Sequence, residues 1–324
     1  MGRQWGRTIG ECPEVRIVGW VDVDRHSAER AAAELELSGV LITDDLGKAL
    51  AEARPDFVVD VSVPSAHHNV TLQSLAAGVP VLGEKPMAPT MAEARAMVVA
   101  SEKAGKLYMV SQSRRYDGRL RAYKCLIDEH LGTLGILNSS FYLSPRFGGF
   151  RDEMESPLIV DMAIHTFDAA RYLSACDPVS VYCEEFNPPW SWYKGDACAT
   201  AVFTMENGLR YTYTGSWCAD GHATSWDAEW RAIGERGTAL WDGSGPPTAE
   251  ILTGAGNAVE RVEAEVGDMH GGIAGSLREF IQALTTGSTP MGECHDNIKS
   301  LAMVLATVES AHVGARVRIA DMLK

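Results

Sequence analysis

The chain has 324 residues, 46% of them hydrophobic, with a formal net charge of -14 and seven cysteines. That length suits two domains with separate cores, and the acidic balance excludes the basic stripe that nucleic-acid or anionic-membrane binding requires. An odd cysteine count without a C-x-x-C pair reads as free thiols in a reducing compartment. With no apolar run of membrane-spanning length and no apolar leader, the sequence reads as a cytoplasmic globular protein with no membrane or nucleic-acid partner.

Met1, Trp5, Ile9 and Cys12 share one face of a helix over 2–12, which Pro13 ends. Strand 15–21, a helix in "SAERAAAELEL", a short strand "VLI" and a helix after Asp44-Asp45 follow. "DFVVDVSV" is a strand, "HHNVTLQSLAAG" a helix closed by Gly78, and "VPVLG" a strand. Thr90 and Glu93 form a capping box opening a helix that Gly105 ends, and "KLYMVSQ" is a strand again. Such alternation predicts a doubly wound parallel sheet with helices on both faces.

These five strands begin after a helix. In a dinucleotide-binding fold the first strand runs into G-x-G-x-x-G, whose last glycine opens a helix, and an acid about 20 residues later holds the ribose. Gly2 fits the third glycine and Asp22 the acid, although a turn carboxylate is the alternative for Asp22. The first strand and two glycines are then absent, and about 10 further residues upstream are expected to supply them. Without them strands 15–21 and 57–62 flank a gap, and the chain is expected to fold marginally and bind dinucleotide poorly, or to draw those strands together.

Beyond residue 116 the rhythm changes. "GRLRAYKCLIDEHLG" is a helix, after which "VSVYCEEF", "ACATAVFTME", "LRYTYTGSW" and a hairpin turning at Glu235–Gly237 predict a large, mostly antiparallel sheet. Helices at about 271–286 and 293–313 close the chain. The expected organisation is therefore a Rossmann domain over 1–116, incomplete at its start, and an α+β domain over 117–324.

Asp161 and His165, four apart, share a helix face in a segment otherwise apolar nearly all round. A carboxylate that fixes an imidazole's tautomer suits a general acid/base near neutral pH, and buried polar groups there need a reason. Asp168, a turn further, reads equally as a second orienting acid or a core hydrogen-bond partner. No third metal ligand accompanies the pair, so no metal is expected. In "NPPWSWYKGD", Trp190, Trp192 and Tyr193 read either as a sugar-stacking surface or as an aromatic anchor in a subunit interface.

"VLGEKPMAPT" and "DMAIHTFDAARYL" resemble the glucose–fructose oxidoreductase, inositol dehydrogenase and rhizopine-catabolism (Gfo/Idh/MocA) family. Its E-K-P element matches Glu84-Lys85-Pro86 and its D-x-x-x-H element matches Asp161 and His165. "SVPSAH" (62–67), "SRRYD" (113–117) and the C-terminal segment also fit, with Ser113 in place of the commoner Asn. The resemblance implies an NAD-dependent oxidoreductase, NADP being possible because Arg25 lies near Asp22. It would act on a secondary hydroxyl of a sugar, inositol or related polyol. A non-redox sugar-binding or regulatory protein on the same frame, its cofactor site lost, is the alternative. Lys85, Asp161 and His165 would be catalytic, with Lys85 beside the nicotinamide polarising the substrate oxygen. Gly2, Asp22, Pro64, His67, Glu84, Lys85 and Arg114 would meet the cofactor. His67 reads equally as a polar helix-terminal residue. Of Arg114 and Arg115, one would meet substrate or cofactor and the other a structural acid; Arg115 is the substrate candidate. A homo-oligomer through the second-domain sheet is expected.

Overall fold

Residues 2–110 alternate as the sequence predicts: α1 (Gly2–Gly10), β1 (Gly19–Val21), α2 (Arg25–Glu34), β2 (Leu41–Thr43), α3 (Leu46–Ala53), β3 (Val58–Asp60), α4 (Pro64–Ala76), β4 (Val81–Gly83), α5 (Met91–Ala104) and β5 (Tyr108–Val110). The structure is a computed structural model and describes residues 1–254, 258–267 and 271–324. Local chemistry sets the helix ends. Asp45 accepts the Lys48 N–H at 3.0 Å, and the Thr90 hydroxyl accepts the Glu93 N–H at 3.2 Å while donating to the Glu93 carboxylate at 2.9 Å. Gly105, at φ +58°, ends α5 in the left-handed conformation.

The parallel sheet is in two pieces. β1 pairs with β2, and β3, β4 and β5 pair in that order. Among the described residues no ladder joins the pieces, so the flanking strands do not close on each other. β4 and β5 are buried along their whole length, as expected of strands covered on both faces.

The second stretch runs α6 (Gly118–Leu126), which continues into a π-turn (Ile127–Leu131), then β6 (Leu134–Tyr142), a π-turn (Leu158–Ala163) and α7 (Ile164–Ser174). Strands β7 (Pro178–Phe186), β8 (Cys198–Met205), β9 (Arg210–Ser216), β10 (Glu229–Gly234), β11 (Gly237–Trp241), β12 (Thr248–Leu252) and β13 (Val259–Glu263) follow. Helices α8 (Gly272–Thr286) and α9 (Cys294–Val313), a short β14 (Val317–Arg318) and α10 (Ile319–Met322) end the chain. The sheet has nine strands in the order β13-β12-β11-β10-β6-β9-β8-β7-β14, antiparallel except where β6 runs parallel to β9. One face packs on α7, where Phe167 meets Phe203 and Tyr213 at ring centroids 4.9 and 5.3 Å apart.

The chain divides into two units at other places than the single expected boundary at 116. One unit is Met1–Ser113 with Gly272–Ile298, the other Arg114–Gly271 with Lys299–Lys324. Residues 272–298 return to the first unit because α8 supplies its core: Phe280, fully buried, packs edge-on to Phe57 at 5.4 Å, and the Val110 N–H donates to the Gly292 carbonyl at 2.8 Å.

Candidate active site

In the first unit the E-K-P stretch leaves the carboxyl end of β4, the edge where ligands bind in open α/β sheets. Glu84 is buried and accepts two hydrogen bonds, one from Trp5 Nε1 on α1 at 2.7 Å and one from the Lys85 N–H at 3.2 Å. Lys85 is half-buried, and its peptide bond to Pro86 is cis. Pro64 opens α4 at its first turn, where a missing N–H costs nothing. One turn on, His67 is 2% exposed. Its Nδ1 lies 2.8 Å from the Pro86 carbonyl and its Nε2 3.0 Å from that of Ser62. His67 therefore links the loop after β3 to the loop after β4 at the residue that follows Lys85.

Gly2 begins α1, which has no side-chain cap and no acid in its first turn. A Cβ on Gly2 would stand 3.8 Å from Trp20, an ordinary contact, whereas one on Gly6 would stand 2.5 Å from Leu35 and 2.9 Å from Trp20. Asp22 follows β1, and its Oδ1 accepts the Asp24 N–H at 3.0 Å. This is the turn role, made with one oxygen. Arg25 is engaged with Glu29 at 3.1 Å. At the end of β3, Asp60 Oδ1 accepts from Ser62, while Oδ2 is buried without a hydrogen-bond partner among the described residues. An uncapped helix start, a second Asp22 oxygen and an unsatisfied buried acid at the carboxyl edge fit the charge and hydroxyl groups of a dinucleotide.

In the second unit Asp161 and His165 straddle a change of winding. Asp161 lies in the π-turn 158–163 and His165 in the first turn of α7, so the single α-helical face expected from their spacing is not what positions them. Arg151 was not apparent from sequence. Its Nε donates to Asp161 Oδ2 at 2.5 Å, and its guanidinium lies over Phe147 and Phe150 at 5.1 and 4.7 Å.

Arg115, expected at the substrate, forms a buried fork with Asp168 instead. Nε and Nη2 donate to the two carboxylate oxygens, each at 2.7 Å, and Ser300 Oγ donates to the same carboxylate at 2.6 Å. Asp168 is thus the core partner of its two alternatives. Arg114, expected on the cofactor side, holds the loop before β10: its Nε lies 3.2 Å from Asp227, and its Nη2 donates to the Trp226 carbonyl. Burial lowers the pKa of the Arg114 guanidinium, with Asp227 opposing, and burial raises that of Asp227.

The aromatic loop splits by role. Tyr193 is 3% exposed, stacks on Trp217 at 5.9 Å and donates to the Pro145 carbonyl at 2.9 Å. Burial and Asp152 push its phenol up to about 12. Tyr193 is a packing residue rather than a substrate contact. Trp192 lies under Arg146 at 4.0 Å, and Trp190 is 71% exposed.

Residues 1–112 match the family model "Oxidoreductase family, NAD-binding Rossmann fold", and residues 92–240 match "GFO/IDH/MocA C-terminal domain". The chain belongs to the Gfo/Idh/MocA oxidoreductase family. D-apiose dehydrogenase of Paraburkholderia graminis is 27% identical over 94% of this chain and 84% of its own length. Inositol 2-dehydrogenase of Pseudomonas fluorescens is 33% identical over 55% of this chain and 52% of its own length. Among solved structures, an oxidoreductase from Agrobacterium radiobacter in complex with NAD+, L-tartaric acid and magnesium superposes with a TM-score of 0.88. It is 22% identical, and the match covers 99% of this chain and 96% of that one. As a Gfo/Idh/MocA oxidoreductase, the protein has an NAD-binding Rossmann-fold domain and a second domain built on a large mixed sheet. No described helix is long and apolar enough to cross a membrane.

Proposed function

We propose that this family member is an NAD-dependent dehydrogenase interconverting a secondary hydroxyl and a ketone on a sugar, inositol or related polyol. The observation that carries the reading is the π-turn at 158–163. Such windings are rare and frequent at functional sites, and this one holds Asp161 and ends at Ala163, two residues before His165. The names of the relatives, one acting on apiose and one on inositol, support the substrate class.

In this reading a ring nitrogen of His165 takes the hydroxyl proton as the alcohol is oxidised and returns it in the reverse direction. Asp161 orients the imidazole and stabilises its cation. Arg151, at 2.5 Å, fixes the carboxylate and tempers its charge. The Lys85 ammonium stabilises negative charge developing on the reacting oxygen, with His67 and Glu84 holding its backbone. NAD+, when bound, supplies the hydride acceptor. Gly2, Asp22 and Pro64 are the cofactor-side groups of the first unit. The protein is proposed to work in the cytoplasm as a homo-oligomer.

The test is His165→Ala. Turnover on a confirmed substrate should fall by roughly 10²–10⁴, while NAD affinity, set in the other unit, stays near wild type. Unchanged turnover would refute the assignment.

A further inference from the structure

Among the described residues, one group of potential metal ligands gathers its donor atoms within 4.8 Å of one another: Glu293, Cys294 and His295, where the loop after α8 turns into α9. The expectation that no metal binds was drawn from Asp161 and His165, which belong to the other unit. Backbone pairing fixes the position of this group. Glu293 bridges to Met109 of β5, and its carbonyl accepts the Asp296 and Asn297 N–H groups at 3.0 and 2.9 Å. The side chains then converge. Cys294 Sγ lies 2.9 Å from Glu293 Oε1 and 3.6 Å from His295 Nδ1, and that nitrogen lies 2.8 Å from the same Glu293 oxygen. The other ring nitrogen, Nε2, faces Glu102 Oε1 on α5 at 2.9 Å. Cys294 is fully buried, whereas the His295 side chain is 52% exposed, so the group has a dry side and a wet one.

We propose that Glu293, Cys294 and His295 hold a zinc ion, with Glu102 orienting the His295 ring from outside the ligand set. The donors select the metal. Thiolate, imidazole and carboxylate are the ligands of zinc, whereas calcium and magnesium take oxygen. The spacing fits as well. With Zn–S at about 2.3 Å and Zn–N at about 2.0 Å, a tetrahedral ion holds its sulfur and nitrogen about 3.5 Å apart, and Cys294 Sγ and His295 Nδ1 are 3.6 Å apart. Glu293 Oε1, which faces both, moves out by about half an ångström to take its corner. Glu102 is the independent sign, because a ligating histidine almost always gives its other N–H to a carboxylate, a carbonyl or water, and this carboxylate comes from a different element. Binding releases the thiol proton to solvent and leaves the imidazole with its Nε2 proton, toward Glu102. Water on the exposed side completes the coordination. The role is structural. Helix α5 runs against the parallel strands it connects, so its last turn, with Glu102, lies at their amino ends, away from the carboxyl edge that carries Glu84 and Lys85. The ion would fasten the start of α9 to α5, within the unit to which 272–298 returns. The proposal stands apart from the dehydrogenase reading.

The experiment takes the full-length protein, freed of metal by a chelator, and titrates it with zinc chloride in a calorimeter and with cobalt(II) in an absorption spectrometer. One equivalent of zinc should bind with micromolar or tighter affinity and raise the melting temperature. Cobalt should show a thiolate-to-metal charge-transfer band together with the d–d bands of a four-coordinate ion. Cys294→Ser should abolish the charge-transfer band. Because Cys294 is buried, the exposed positions keep the test open if that variant does not fold. His295→Ala should abolish stoichiometric zinc binding and the thermal shift. Glu102→Ala should weaken zinc about 10–100-fold while keeping the band, and Glu102→Gln, which retains an acceptor, should recover most of the loss. Cys125→Ser, at an exposed thiol, should change nothing. No stoichiometric zinc binding, cobalt bound without a thiolate band, or full affinity in His295→Ala or Glu102→Ala would each overturn the site. So would a band lost in Cys125→Ser. The three side chains would then be a hydrogen-bonded helix start and nothing more.

Discussion

Replacing Asp168 by Ala tests whether this acid holds the second unit together or works at the chemistry. In the native protein its side chain is 2% exposed and that of Arg115 is 7% exposed, with two hydrogen bonds of 2.7 Å between them and a third, of 2.6 Å, from Ser300. Removing the carboxylate takes from the buried guanidinium the acid that accepts two of its N–H groups, and breaking such a pair costs about 3–5 kcal/mol. For a unit of this size about 2–4 °C is lost per kcal/mol, so its melting temperature should fall by about 6–20 °C in scanning calorimetry. The double change Arg115→Met with Asp168→Leu should be less damaging than Asp168→Ala alone, because both members of the buried pair then leave together. A melting temperature within about 2 °C of wild type, or a stable protein that has lost turnover, would refute the structural role.

Trp5→Phe keeps most of the ring but removes the donor to Glu84, a 2.7 Å bond to a buried carboxylate, and should cost about 1.5–3 kcal/mol in urea unfolding. Glu185 is pushed up to about 7, chiefly by burial. Its folded value lies above its unfolded one, so the neutral native form is favoured at low pH and that stability is lost as pH rises from about 4.5 through 7. The urea midpoint should therefore fall between pH 5 and 8, and Glu185→Gln should flatten that slope. In the proposed cofactor role, the Asp22 carboxylate would repel a 2′-phosphate, while Arg25 pairs with Glu29. NADH should thus bind more tightly than NADPH in a direct titration, and Asp22→Asn should narrow the difference.

Much of the fold was legible because its signals are local. Capping at Asp45 and Thr90, the glycine ending α5 and the period change after residue 116 each depend on a few neighbouring residues. β6, β12 and β13 were missed, and so was the return of 272–298 to the first unit. Their placement depends on partners far along the chain, as with β6 beside β9. At the candidate site the motifs singled out segments but not the interactions within them. No spacing rule announces that Arg151 reaches Asp161, that Arg115 rather than Arg114 pairs with Asp168, or that Trp5 caps Glu84. The π-turn was equally hidden, since Asp161 and His165 keep an α-helical interval in sequence.

The return of residues 272–298 to the first unit sets the order in which the newly made chain can mature. A polypeptide leaves the ribosome from its amino end, yet Phe57 meets its ring neighbour Phe280 only after most of the chain has emerged. The strands from β6 to β13 all appear earlier, so eight of the nine strands of the large sheet can assemble while the nucleotide-binding layer still exposes apolar surface. Loop-closure entropy grows only slowly with length, so the late arrival of α8 costs time more than stability. During that interval the unfinished layer is open to aggregation and chaperone capture. Residues 272–298 thus complete a domain begun at the first residue, and a nascent protein stalled before residue 272 would carry eight of the nine strands of the large sheet and an immature cofactor domain.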